Sequence, residues 1–447
     1  MNFKLTKEFI ENLEILIINK NVNTIKTLFC ELLAPDVAEI ITILNLEQAQ
    51  YLLSLFDEEL RADILIELEE DLRERLLNNL SSKEIIEEVI DNLESDDAAD
   101  VIQELPDEKQ KEVLSKISNS KQVNDIVDLL SYGENSAGAL MAKELIKVHE
   151  NWSVLRCVSE MRKQAKKVQE VYTIYVVNKQ QQLLGTVSLK KLLLTPEKTF
   201  ISEIYSTQII SVNTETTGDE VVRIMNKYNL IVLPVVNEQN KLMGRITIDD
   251  VVDVMKEEAE KDYQMASGIS DNIEPLDDIF TLTKARIPWL IIGLIGGLFG
   301  AQIIGLFPIE ENPLLAFFIP LIAAMGGNVG VQSSAIIVQG LASNNLGLEH
   351  WSKRFLKEFG VALTNGIICC ILVFIACILL YDHPNIPLIV SVSLLTVMIF
   401  AALFGTFVPL ILDKYNIDPA LATGPFITTM NDVIGLFIYF SIAEIIL

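Results

Sequence analysis

Five stretches of apolar residues, each long enough to cross a hydrocarbon layer about 30 Å thick, crowd into the last 164 residues of this chain. They run over 288–307, 314–342, 360–381, 386–412 and 420–447. In lipid every backbone polar group must be satisfied within the span, so these stretches have to be helices. Basic residues set the expected orientation. Lys284 and Arg286 precede the first span, Lys353, Arg354 and Lys357 lie between the second and third, and Lys414 lies between the fourth and fifth. The alternate loops, 309–313 and 382–385, hold no Lys or Arg. The N-terminus is therefore expected in the cytosol and the C-terminus outside. Residues 348–359 read as an amphipathic helix along the inner interface.

The rest of the chain is soluble in character and strongly acidic. Of 35 Lys and Arg and 61 Asp and Glu, six and nine lie from Lys284 onward, which leaves a net charge of −23 on the first 283 residues. Nucleic acid is excluded as a partner, because phosphates need a basic footprint. No signal-peptide pattern opens the chain, and nothing resembles a P-loop, so no enzyme activity is expected. The five cysteines suggest no disulfide framework, and His149, His350 and His383 are scattered. Those donors do not suit a zinc site, and any metal must be held by oxygen, as hard divalent cations such as Mg2+ prefer.

Residues 1–135 read as short helices in series, with apolar residues recurring at three and four. A weak repeat relates 35–41 to 96–102, each opening a helix with an acidic residue. A clearer duplication follows. Residues 148–161 match 212–225 at an offset of 64, and 176–185 match 235–244 at an offset of 59, with an insertion around 166–170. Each unit reads helix, strand, turn, strand, helix, with buried-strand runs at 172–177 and 231–236. This pair resembles tandem cystathionine-β-synthase (CBS) domains. Residues 249–266 form one helix with Val251, Val252, Val254, Met255 and Ala259 on its apolar face and acids elsewhere. A polar linker over 267–283 leads to the membrane.

Two membrane segments carry chemistry. Asp432 lies within the last span, where an ionisable residue costs at least about 2.5–3.5 kcal/mol and marks a protein interior or a wet path. It shares a helix face with Thr428, Thr429 and Gly435. Pro425 beside Gly424 is expected to free a backbone carbonyl, that of Leu421, inside the span. In the second span Asn328 and Gln332 share one face, while Gly327, Gly330 and Ser334 share another that permits close helix approach. Gly293, Gly296, Gly297 and Gly300 read as packing residues of the first span.

Gly326-Gly327-Asn328-x-Gly330-x-Gln332-Ser333 and Asp418-Pro419-Ala420-Leu421…Gly424-Pro425…Thr428-Thr429-x-x-Asp432 resemble the second and fifth helices of MgtE-type magnesium transporters. The order of parts is similar over nearly the whole chain. The resemblance implies a multidomain protein: an all-α superhelical domain over 1–135, an α/β tandem CBS pair over 136–248, a connecting amphipathic helix and linker over 249–283, and a five-helix transmembrane pore domain over 284–447. It implies a homodimer in a bacterial inner membrane, with Asp432 of both protomers forming the ion site on the two-fold axis. Mg2+ sheds water reluctantly, so Asn328, Thr428 and Thr429 are expected to touch its waters. The resemblance also implies that cytosolic Mg2+ bridges Asp97, Asp100, Asp250, Asp253, Glu258 and Asp262 and closes the pore. Val331, Gln339, Gly424 and Lys261 depart from the pattern of relatives. Glu310 and Glu311 are candidates for gathering ions outside. For ATP at the CBS pair, the run 244–250 fits a Gly-x-x-[Ser/Thr]-x-x-Asp pattern, whereas 185–191 ends on Lys191. Transport of Mn2+ or Co2+, and a CBS-based membrane sensor without transport, stay open as alternatives.

Overall fold

The computed structural model describes residues 5–133, 135–168, 170–270, 273, 278–308, 312–342, 351–381, 383–422 and 424–447. Glu310, Glu311, His350 and the start of the expected interfacial helix at 348–350 lie outside the described residues. The chain divides into two compact units, Met1–Met255 and Lys256–Leu447.

In the first unit, ten described α-helices and one 3-10 turn run from Lys7 to Leu129. Short polar residues start them. Asn45 Oδ1 accepts from Gln48 N at 3.0 Å while Gln48 Oε1 accepts from Asn45 N at 3.2 Å, and Ser81 and Glu84 repeat the reciprocal cap, which satisfies amide groups left over at a helix start. The weak repeat falls on the starts of the helices Ala34–Ile43 and Ser95–Gln103.

The duplicated segment forms two three-stranded sheets. The first holds β1 (Ile146–His149), β2 (Ile174–Val177) and β3 (Leu183–Val187); the second holds β4 (Val212–Asn213), β5 (Val232–Val236) and β6 (Leu242–Thr247). In each, the first two strands are parallel and the last two antiparallel. Parallel pairing needs a crossover, supplied by the helices Val154–Gln164 and Gly218–Tyr228, which obey the offset of 64. The strand before each helix was not expected. β1 has four residues and β4 two, too few to show an alternation. The halves are joined symmetrically: Leu183 N donates to Asn240 O and Leu242 N to Gln181 O. Thr186 bridges Ser206 as Arg245 bridges Ala142, so each hairpin also pairs with the chain entering the other half. The first repeat has its own core around Val148, Ile174 and Leu192. The second repeat shares one continuous core with the helical domain, through Val212, Val221, Met225, Leu233, Ile246 and Val251.

The second unit begins inside the long helix Ile248–Ala266 and contains five described helices apolar and long enough to span a membrane: Ile279–Leu306, Ile319–Ala342 (entered through a 3-10 turn, Pro313–Phe318), Trp351–Leu380, Ile386–Lys414 and Pro425–Ile446. The fourth is central. It packs against the second, third and fifth, and 61% of its apolar stretch is buried against 11% for the first and third. Three expectations are corrected. The linker ends at Asp278, not Thr283, because Asp278 caps the first membrane helix by accepting from Phe280 N at 3.0 Å and Thr281 N at 3.3 Å. From Trp351 onward the expected interfacial helix is continuous with the third span; one glycine, Gly360, costs about 1 kcal/mol, which so long a helix absorbs. Pro425 does not free a carbonyl within a helix. It is the first residue of the fifth helix, where its missing amide breaks no bond, and Gly424 before it turns the chain at φ +54°.

A Cβ on Gly405 of the fourth helix would overlap the carbonyl oxygen of Gly330 in the second. Gly405→Val should therefore force these helices apart, at about 1–3 kcal/mol or more, and sharply reduce monodisperse protein in detergent by size-exclusion chromatography. Wild-type yield and elution would show that the contact can yield.

Candidate metal sites

Within the membrane unit, the glycine face of the second helix meets the fifth. A Cβ at Gly327 would fall 3.1 Å from Thr428 Cγ2 and 3.8 Å from Asp432 Oδ1. Asp432 and Thr428 thus stand together beside Gly327, half-exposed. Among the described residues no Lys or Arg forms an ion pair with Asp432. Thr428 Oγ1 donates back to Gly424 O at 3.0 Å. Thr429 turns its methyl toward Gly296 of the first helix, so only one of the two threonines lies at Gly327. Gly300 faces Leu436, while no atom of a neighbour lies near the Cβ positions of Gly293 and Gly297; two of the four first-span glycines pack against the fifth helix and two do not. Asn328 and Gln332 are exposed, on the side of the second helix turned away from its buried Gly326, Gly330 and Ser333. Asn431, which sequence reasoning passed over, is 1% exposed. Its Nδ2 donates to Gly326 O at 3.3 Å, and its Oδ1 is sealed without a partner.

In the soluble unit, carboxylates converge where the Ser95–Gln103 helix meets the start of the Ile248–Ala266 helix. Asp250 Oδ2 accepts from Thr247 N at 2.9 Å and Thr247 Oγ1 at 2.6 Å, which caps its helix. Burial first, then repulsion from Asp250, Asp100 and Glu94, pushes Asp97 up from 3.8 to about 7. Burial, with Asp249 and Asp253 adding repulsion against the Thr247 bonds, pushes Asp250 up to about 6. Asp96 is raised too, by burial and then by Asp97, Asp250 and Glu94, and its Oδ1 has no hydrogen-bond partner. Glu67 is raised by burial, then by Asp253 and Asp63. Asp97, Asp100 and Asp250 therefore share one electrostatic neighbourhood, and Asp253 faces Glu67. Glu258 and Asp262 follow on the same helix as Asp250, within the second unit. Among the described residues no three His, Cys, Asp or Glu side chains are gathered closely enough to hold a metal. An orphaned carboxylate oxygen amid mutually repelling acids suits a hard cation that keeps several of its waters.

The Gly244–Asp250 run ends on the same Asp250. Beside it, Arg245 stacks over Tyr172 at 5.3 Å and lines a cavity of about 10 Å³ with Ile146, Thr173, Tyr175 and Val232, room for roughly one water molecule.

The sequence matches three family descriptions: a divalent cation transporter of the MgtE type over 319–442, the MgtE intracellular N domain over 33–135, and the CBS domain over 137–196 and 201–257. The magnesium transporter MgtE of Thermus thermophilus is 36% identical over 323 residues, 71% of this chain and 72% of that protein. Those of Bacillus subtilis and Enterococcus faecalis are each 32% identical over 70% and 71% of this chain and 70% of theirs. The chain belongs to the MgtE family. Two solved structures are similar to the soluble part: the soluble part of a magnesium transporter (TM-score 0.50, 25% identity, 57% of this chain and 99% of that one) and the cytosolic domain of the Mg2+ channel MgtE in complex with ATP (TM-score 0.51, 27% identity, 55% and 99%). The protein is thus a multi-pass membrane protein of a divalent cation transporter family, with the multidomain order expected from its motifs.

In this MgtE-family chain, the neighbours missed by sequence reasoning had only faint signals. Asn431 filled an unspecified place in the fifth-helix motif. Glu94 and Asp96 flanked Asp97 in an acidic run. Glu67 gave no sign, since it meets Asp253 across a long sequence separation.

The raised acids have a consequence for stability. Between about pH 4 and about pH 7 the folded form holds protons on Asp97 and Asp250 that an unfolded chain has lost, so metal-free stability falls as pH rises through that window. Asp97→Asn should flatten this fall and stabilise the metal-free protein by ~2 kcal/mol at about pH 7.5. Thermal melts in EDTA read the difference; equal wild-type and variant slopes from about pH 5 to about pH 7.5 would rule out the repulsion.

Proposed function

We propose that this chain takes up Mg2+ across the inner membrane, as a homodimer whose two Asp432 carboxylates flank the ion path at the two-fold axis. The N-terminus faces the cytosol and the C-terminus the outside. The observation that carries this reading is Asp432: an acid at membrane depth, half-exposed beside Gly327 and Thr428, with no described cation to neutralise it. Relatives named as magnesium transporters support the choice of ion. Two carboxylates match a divalent charge, whereas one would leave it half compensated. In this reading Asn328, which is exposed, and the hydroxyl of Thr428 meet the ion's waters. The membrane potential drives influx, at about 4.6 kcal/mol per 100 mV for two charges.

Cytosolic Mg2+ closes the path by binding among Asp97, Asp100, Asp250, Asp253, Glu258 and Asp262. Without the cation these acids repel; with it, repulsion becomes attraction. Support for the coupling lies in the second unit. The connecting helix ends against both pore-side elements: Ser270 N donates to Ala285 O of the first membrane helix at 2.9 Å, and a Cβ at Gly424 would overlap Ala266 O. ATP is a ligand of a relative's cytosolic domain; at Arg245 of this chain the cavity of about 10 Å³ is too small for it.

Asp432→Asn, which keeps shape and removes charge, should reduce Mg2+ uptake to background in cells lacking other Mg2+ transporters. Wild-type uptake by that variant would remove Asp432 from the path. In inside-out patches or vesicles, cytosolic Mg2+ should inhibit flux, and Asp250→Asn should raise the concentration needed. Inhibition at the wild-type concentration would exclude the acidic seam as the sensor.

A further inference from the structure

Asn431 is sealed inside the membrane unit with half of its amide unused. Its Nδ2 donates to Gly326 O at 3.3 Å, and its Oδ1 has no hydrogen-bond partner. The second helix makes room for it. A Cβ at Gly330 would fall 1.9 Å from Asn431 Nδ2, and a Cβ at Gly326 would fall 3.9 Å from Asn431 Cβ. The amide therefore sits in a notch between two glycines about one turn apart. The fourth helix borders the notch: Val397 Cγ1 lies 3.1 Å from the Cβ position of Gly326 and 3.2 Å from that of Gly435, and the Cβ position of Gly405 is 2.3 Å from Gly330 O. Packing gives no reason for an asparagine here. The Gly326 carbonyl lies within the second helix, where the amide four residues on is its ordinary donor, so losing Asn431 leaves no backbone group unpaired. A leucine of similar volume would also remove the orphaned oxygen, whose lost hydration nothing in the notch offsets. Direction is what an amide adds. Bonded to a carbonyl that the second helix holds still, it cannot slide as a leucine can. Asp432 is the next residue, about 100° further round the fifth helix, so whatever fixes the rotation of Asn431 also fixes Asp432 beside Gly327.

We infer that Asn431 is a positioning residue of the ion path: its amide, keyed between Gly326 and Gly330 and bonded to the Gly326 carbonyl, fixes the rotation of the fifth helix and with it the place of the Asp432 carboxylate. This rests on reading Asp432 as part of the path. The affinity of an oxygen site for a hydrated cation depends on where its ligands stand and how firmly they are held. Loosening the helix therefore weakens ion binding before it harms the fold. The test uses the full-length protein in vesicles, with Mg2+ as the probe. Asn431→Leu should raise the Mg2+ concentration for half-maximal influx at least about fivefold, the scale of coupling between touching residues, while its elution and thermal melt in detergent stay as in wild type. A packing role alone would lower the maximal rate, through less folded protein, and leave half-saturation unmoved. That result, or wild-type flux at every concentration, overturns the inference. If Asn431→Leu folds poorly, Asn431→Ala, which crowds nothing, decides by the same split: a raised half-saturation upholds the inference and an unmoved one overturns it. Asp432→Asn keeps the two readings apart. Background flux in that variant, with unmoved half-saturation in the Asn431 variants, sinks the positioning role and leaves the acid in the path. Wild-type flux in Asp432→Asn removes the acid and the positioning role together.

Discussion

A carboxylate inside a membrane must be compensated, and lipid cannot do it. That constraint organises the second unit. The polar group is carried on a helix that starts only two turns earlier, at Pro425, and it is lodged where a neighbouring helix has no side chain at Gly327. Close approach needs more than one glycine, so Gly326 and Gly330 continue the same face toward Asn431 and the fourth helix. Asn431 then ties the fifth helix to the backbone of the second. The packing brings hydroxyl and carboxylate oxygens together and supplies no cation among the described residues.

The soluble unit meets the same difficulty in water-accessible form. Like charges are pressed together by a shared apolar core that runs from the helical domain into the second CBS repeat. Burial of Ile246 and Val251 supplies the attraction, and the carboxylates at Asp97 and Asp250 oppose it. Arg73 offsets part of the repulsion at Asp97, and Arg245 Nη2 donates to Glu94 at 2.8 Å. A seam balanced in this way responds to small changes in local charge, which is what a sensor of a divalent cation requires.

Much of this was legible in the sequence because it rests on periodicity. The offset of 64 relates the two crossover helices residue for residue, although it did not give their ends, and apolar length predicted five spans. Short elements escaped: β4 is two residues long, and no pattern can show in two. Helix ends were misjudged where a cap decides them, as with Asp278, or where a glycine is tolerated, as with Gly360. At the candidate sites Asp432 was named because an acid in an apolar run stands out, and the soluble acids were named through the family resemblance. Their surroundings were not. Asn431, Glu67 and Arg245 owe their places to contacts across 105, 186 and 151 positions of sequence, which no local reading supplies.

The break before the fifth helix carries one more implication. Gly268 turns at φ +80° against the Pro425 ring, and Gly424 turns at φ +54° against the Ala266 carbonyl. Two side-chain-free bends thus sit flush, the tail of one rod on the head of another. A rigid strut pressing on such a joint tilts the next rod without stretching it. Bulk at either bend would prise the joint open and uncouple the end of the connecting helix from the head of the fifth membrane helix.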